Sequence, residues 1–119
     1  MNLTLISIDN NGVVHLSAEG ALTAHDFTSD EQNPLRSVVG EHWSTNKIVL
    51  NLGEASNVDS SAIGWLLTCQ RKAKDNGGKF VLHSVPPNVR QILDMLKVSS
   101  ILPMAENEDA AFALLDGAQ

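Results

Sequence analysis

Two apolar runs, Ile48-Val49-Leu50 within residues 46–52 and Phe80-Val81-Leu82 within residues 79–83, bracket a segment of helical length. A continuous apolar run, rich in β-branched residues in the first case, suits a strand buried on both faces, not one with a wet side. Between the runs, Asp59 or Ser60 can open a helix. Ile63, Leu66, Leu67, Gln70 and Ala73 then give it a mostly apolar face at helical spacing. Arg71, Lys72 and Lys74 fall near the end of that helix, where cations suit its dipole, and Gly77-Gly78 stops it. Residues 53–58 read as a loop. Strand, helix and strand form one βαβ unit, with parallel strands and a right-handed crossover.

The flanking segments extend this unit. Residues 3–8 alternate as a half-buried strand, and Asp9-Asn10-Asn11-Gly12 has turn chemistry. Val13 to Ala18 returns as a second strand, with Val14, Leu16 and Ala18 on one face and Val13, His15 and Ser17 on the other. Residues 20–45 are the least legible stretch. A short helix is expected over 34–40, with Trp43 as a local packing anchor. Pro86-Pro87 can open a further helix whose Val89, Ile92, Leu93 and Leu96 form an apolar stripe. Ile101-Leu102-Pro103-Met104 reads as a short edge strand, since proline is tolerated there. Asn107 is placed to cap a last helix carrying Ala111, Phe112 and Leu115 inward. The predicted fold is a mixed α/β domain spanning residues 1–119: an N-terminal hairpin joined to a parallel βαβα core, with helices packed on the sheet.

Composition narrows the function. The chain has 119 residues, with 14 Asp and Glu against 8 Lys and Arg, for a formal charge of −6. That balance disfavours nucleic acid, whose binders neutralise phosphates with cations, and disfavours anionic membranes. No apolar run approaches a membrane span, and the first residues do not resemble a secretory signal, so a cytoplasmic location is expected. The single cysteine, Cys69, excludes an internal disulfide and reads as a small filler.

Enzyme chemistry is not evident. No glycine-rich phosphate loop occurs, and His15, His25, His42 and His83 lack metal-ligand spacing, so no metal and no cofactor are expected. A triad of Ser60, His83 and Asp59 can be drawn only on paper, because Asp59 adjoins Ser60 and nothing evident orients the imidazole.

The informative stretch is Asn57-Val58-Asp59-Ser60-Ser61-Ala62-Ile63-Gly64. Asp and Ser are favoured helix caps, which is one sufficient reason for them here. A serine in the first turn after a buried strand also lies at the carboxyl edge of the sheet, where sites on α/β folds collect. Ser84, in the loop after the second buried strand, opens on the same edge. Phosphorylation of Ser60 would add about −1.5 to −2 charges, tolerated by the helix dipole but repelled by Asp59.

The chain resembles the STAS domain, and specifically the bacterial anti-sigma factor antagonists. The resembling residues are Ile48 to Leu52, Val58 to Leu67, Asn76 to Leu82 and Val89 to Leu96. The resemblance implies a switch protein, not an enzyme. In that family the serine after the aspartate, here Ser60, is phosphorylated by a kinase that is also the anti-sigma factor, and a phosphatase resets it. The unphosphorylated antagonist binds the kinase and frees the sigma factor. The kinase would supply the nucleotide and magnesium.

Ala62 stands where the family usually has glycine. Gly20-Ala21-Leu22-Thr23 stands where many antagonists carry Gly-x-Leu-Asp, so Thr23 replaces the acid, in a loop that in the family helps contact the kinase. Asp59, Ser61, Trp65, Thr23 and Ser84 are therefore the expected partner-binding residues around Ser60. For Trp65, an exposed anchor and a ring covered by the neighbouring helix are both open. The alternative function is a STAS scaffold without a phospho-switch, docked on a lipid-transport ATPase or within a stress-sensing assembly.

Overall fold

A computed structural model describes residues 2–23 and 33–117, excluding the side chains of residues 116 and 117. Strands β1 (Asn2–Ile8) and β2 (Val13–Leu22) form the expected antiparallel hairpin, with an irregularity in register between Leu5 and Ser7. Its turn is held by Asp9, whose Oδ1 accepts the N–H groups of Asn11 and Val13 at 2.9 and 3.0 Å. Helix α1 (Pro34–Val38) and a 3₁₀ turn at Trp43–Thr45 lead into β3 (Lys47–Asn51). Then follow β4 (Ala55–Val58), α2 (Ser60–Asp75), β5 (Lys79–His83), α3 (Pro87–Met95), β6 (Met104–Ala105) and α4 (Glu108–Gly117). The strand order is β1-β2-β3-β5-β6, and β3 pairs in parallel with both β2 and β5. The mixed sheet with packed helices matches the fold class read from the sequence.

The two faces of β2, β3 and β5 bury different helices. Val14, Leu16, Ala18, Ile48, Leu50, Phe80 and Leu82 face α1, α2 and α3. Val13, Val49 and Val81 face Ala111 and Leu115 of α4. Burial on both faces explains the unbroken apolar runs, each large side chain contributing about 1.5–3 kcal/mol. Trp43 is 2% exposed and belongs to the first core, so it anchors more than its own loop.

Several expectations need correction. Residues 55–58 are not loop. They form β4, which pairs in parallel with the far end of β2, Leu22 opposite Val58. Its polar sequence, Ala55-Ser56-Asn57-Val58, hides the strand because only Ala55 and Val58 are buried. The edge strand lies later than 101–104: β6 is Met104–Ala105, and Pro103 precedes it with its carbonyl accepting the Leu82 N–H at 2.9 Å. The buried face of α2 is Ala62, Ile63, Trp65, Leu66, Cys69 and Ala73, while Leu67 and Gln70 are only half-buried. It is rotated toward Trp65, which Asn33 covers by accepting the indole N–H. Cys69 is fully buried. In α3, Val89 and Leu93 are buried, but Leu96 lies past the last turn and is exposed. Part of the illegible stretch, residues 24–32, lies outside the described residues.

Helix α2 ends as its glycines require. Gly77 has φ +82°, and the Gly78 N–H closes on the Ala73 carbonyl at 2.8 Å. Gly78 itself packs against the chain entering β3. A Cβ there would come within 2.6 Å of the Asn46 carbonyl oxygen and closer still to that of Ser44.

Candidate functional site at the carboxyl edge of the sheet

The pairing of β2 with β4 builds this site. The Asp59 N–H donates to the Leu22 carbonyl at 3.2 Å, which sets Thr23 beside the start of α2. Asp59 is extended (φ −108°, ψ 176°) and caps the helix, its Oδ1 accepting the Ala62 N–H at 3.0 Å. The Ser61 hydroxyl donates to that same oxygen at 2.5 Å. A hydroxyl carries one proton, so the 3.3 Å contact between Thr23 Oγ1 and Ser61 Oγ has Thr23 as donor. Thr23, Asp59 and Ser61 are thus half-buried and tied in series.

Ser60 differs from all three. It is exposed, at the first residue of α2, and its hydroxyl makes no hydrogen bond among the described residues. One turn on, Gly64 is also exposed, with nothing within 4 Å of where a Cβ would lie. This end of the helix can therefore be approached closely. The paper triad does not form, because Asp59 is committed to the helix cap and His83 to another serine.

That serine is Ser84, at the end of β5. Its Oγ lies 3.0 Å from Nδ1 of His83. His83 is 3% exposed, and burial pushes its imidazole below the ordinary pKa. Glu108 acts in the opposite sense and His15 in the same sense as burial. The sequence reading missed this pairing, although the two residues are adjacent at a strand end where an extended residue and a left-handed one can turn side chains together.

Trp65 is corrected. Its ring is 6% exposed, and Nε1 donates to Asn33 Oδ1 at 3.0 Å. The same oxygen accepts the Leu35 N–H at the start of α1, so Trp65 ties α2 to α1 and does not present its ring as a surface anchor. Among the described residues no group of three His, Cys, Asp or Glu could hold a metal, and no helix is long and apolar enough to cross a membrane.

Comparison with known proteins agrees with this architecture. The STAS domain family model matches residues 5–111. The anti-sigma F factor antagonist of Paenibacillus polymyxa is 29% identical over 116 residues, covering 98% of this chain and 97% of that protein. The structure of the anti-sigma factor antagonist SpoIIAA in its unphosphorylated form superposes with a TM-score of 0.64 at 21% identity, covering 98% of this chain and 96% of the other. An anti-sigma factor antagonist from Mycobacterium paratuberculosis gives 0.65 at 18% identity, covering 97% and 95%. With the family match spanning nearly the whole sheet and the start of α2 that carries Ser60, this chain belongs to the STAS domain family.

Proposed function

We propose that the protein is an anti-sigma factor antagonist gated by phosphorylation of Ser60. The observation that carries this reading is the contrast between the adjacent serines. Ser60 is exposed with an uncommitted hydroxyl, whereas Ser61 is held by Asp59 and Thr23. A kinase that is also the anti-sigma factor would bind the surface formed by Thr23, Asp59, Ser84 and the uncharged hydroxyl of Ser60. Phosphate on Ser60 would meet the Asp59 carboxylate next to it, and a partner fitted to the uncharged hydroxyl would be expelled. The N-terminus of α2 tolerates the added charge, so the fold survives modification. The protein would act in the cytoplasm, as a regulator and not an enzyme, with a phosphatase resetting it.

The test is a pull-down from native cytosol with wild-type, Ser60→Ala and Ser60→Asp baits, read by mass spectrometry. Recovery of an ATP-binding kinase by wild type and Ser60→Ala, but not by Ser60→Asp, is expected. Equal recovery of a transporter ATPase or a large STAS assembly by all three baits would make Ser60 a plain helix residue and the protein a docking subunit.

A further inference from the structure

We propose that Ser84 is a second reactive hydroxyl, distinct from Ser60, and that with His83 as its base it forms a covalent acceptor site for an activated phosphoryl group. The site stands on three independent features of the chain.

The first is the backbone. Ser84 has φ +57°, one of two non-glycine residues with positive φ among those described. Such a conformation is uncommon outside glycine and concentrates at functional positions. It falls where β5 ends and shortly before α3 begins at Pro87. The left-handed turn directly after β5 therefore places the hydroxyl at the carboxyl end of the sheet, with two residues between it and α3.

The second is the partner. His83 Nδ1 is within hydrogen-bonding distance of Ser84 Oγ, at 3.0 Å. The imidazole is buried, and burial disfavours its cation, so it stays neutral and able to take a proton. The titratable groups that face it are Glu108 from α4 and His15 from β2. Glu108 and His15 are 3.5 Å apart, and Asp9 lies 3.2 Å from the other side of His15. In the same sheet row Asn51, and beyond it Ser17, are uncharged neighbours. Because Glu108 favours the imidazolium, it supports proton uptake when the hydroxyl reacts.

The third is access. Ser84 is half-buried, not sealed, while its base is enclosed. Gly53 beside it brings no side chain; a Cβ there would sit 3.7 Å from that of Ser84.

In the reaction, Ser84 Oγ attacks phosphorus and forms the P–O bond. The bond from phosphorus to the leaving group breaks, and the leaving group departs with the electron pair. The serine proton passes to Nδ1 of His83. The phosphoryl oxygens then carry their negative charge beside an imidazolium, a charge-assisted pairing that holds the product. Ser60 has the reverse surroundings, an adjacent carboxylate. The donor class is a phosphoanhydride brought by another protein or free in solution. The site does not depend on the antagonist reading, since Ser60 takes no part in it.

Diisopropyl fluorophosphate tests the site. Serine displaces fluoride from its phosphorus by the same in-line attack, with the proton again passing to His83. Intact-mass spectrometry and peptide mapping should find the adduct on Ser84. The adduct should be absent in Ser84→Gly, which suits the left-handed backbone, and unchanged in Ser60→Ala. The labelling rate should fall at least about tenfold in His83→Gln. In the wild type it should decline on acidification only below the ordinary imidazole range, a readout that needs no variant to fold. An adduct elsewhere, labelling no faster than in Ser84→Gly, or a rate indifferent to both His83→Gln and pH would overturn the proposal.

Discussion

The Ser61 hydroxyl donates to Oδ1 of Asp59 at 2.5 Å, and the same oxygen caps α2 through the Ala62 N–H at 3.0 Å. One carboxylate oxygen therefore ends the helix and immobilises the neighbouring serine. The two serines that follow Asp59 differ in chemistry for this reason, although in sequence they are identical.

Ser61→Ala should cost about 0.5–1.5 kcal/mol, the net value of a lost hydrogen bond, while leaving the phosphorylation behaviour of Ser60 intact. Asp59→Ala should cost about 0.5–2 kcal/mol through the lost cap and free the Ser61 hydroxyl as well. Urea unfolding of both variants, with phosphosite mapping after kinase treatment, checks this. Phosphate on Ser61 of the wild type would move the switch by one residue.

Phosphoserine at position 60 should leave the melting curve nearly unchanged and weaken partner binding at least about tenfold, roughly 1.4 kcal/mol. Calorimetry on the modified protein and titration of the captured partner separate the two quantities. A large loss of stability with unchanged affinity would mean that the charge acts on the fold and not on the surface.

Trp65→Phe should keep an aromatic ring buried and lose the bond to Asn33 and part of the packing, at least about 0.5–1.5 kcal/mol, with partner affinity unaffected. An interface anchor would behave oppositely, with affinity falling and stability holding. Denaturant melts and a binding titration on the same preparation distinguish the outcomes.

Gly78→Ala should be among the most damaging single changes, at least about 2 kcal/mol, because its Cβ collides with backbone carbonyls and not with movable side chains. Gly64→Ala meets nothing and should be neutral or slightly stabilising, since alanine has the better helix propensity. Thermal melts of the pair make the comparison.

Stability should fall on acidification in two stages. His83 is held below its ordinary pKa by burial, so the unfolded chain binds that proton more readily. Its contribution is complete above about pH 6.5 and is lost as pH falls below that value toward the depressed folded one. Asp9 is held below the ordinary carboxylate range, first by its hydrogen bond with His15 and then by the Val13 N–H. Its contribution is present above about pH 4 and is lost below it. Urea midpoints across this range check both windows, and His83→Gln should flatten the first one alone.

Strand, helix and hairpin were legible because their signals are local. The apolar runs 48–50 and 80–82, the turn at 9–12, the Asp59 cap and the Gly77-Gly78 stop each dictate backbone geometry from a few neighbouring residues. Helix α1 and the Asn107 cap, whose Oδ1 accepts the Ala110 N–H at 2.9 Å, were also readable in this way. Strand β4 was not, because four residues with two polar members carry no period. It exists only because the end of β2 is there to pair with it.

Sequence alone determined the mixed α/β architecture, the start of α2 at Asp59–Ser60 and the placing of Ser60 and Ser84 after strands that share one edge. These follow from propensity and patterning, which act over single turns. Tertiary structure decided the rest: that Thr23 meets Ser61, that Asn33 covers Trp65, that His83 turns to Ser84 and not to Ser60, and that Ser60 alone of the two serines stays free. Each of these depends on hydrogen bonds and burial whose partners the chain brings together only by folding. The state of a hydroxyl is set by the atoms around it, and a linear sequence does not say which atoms those are.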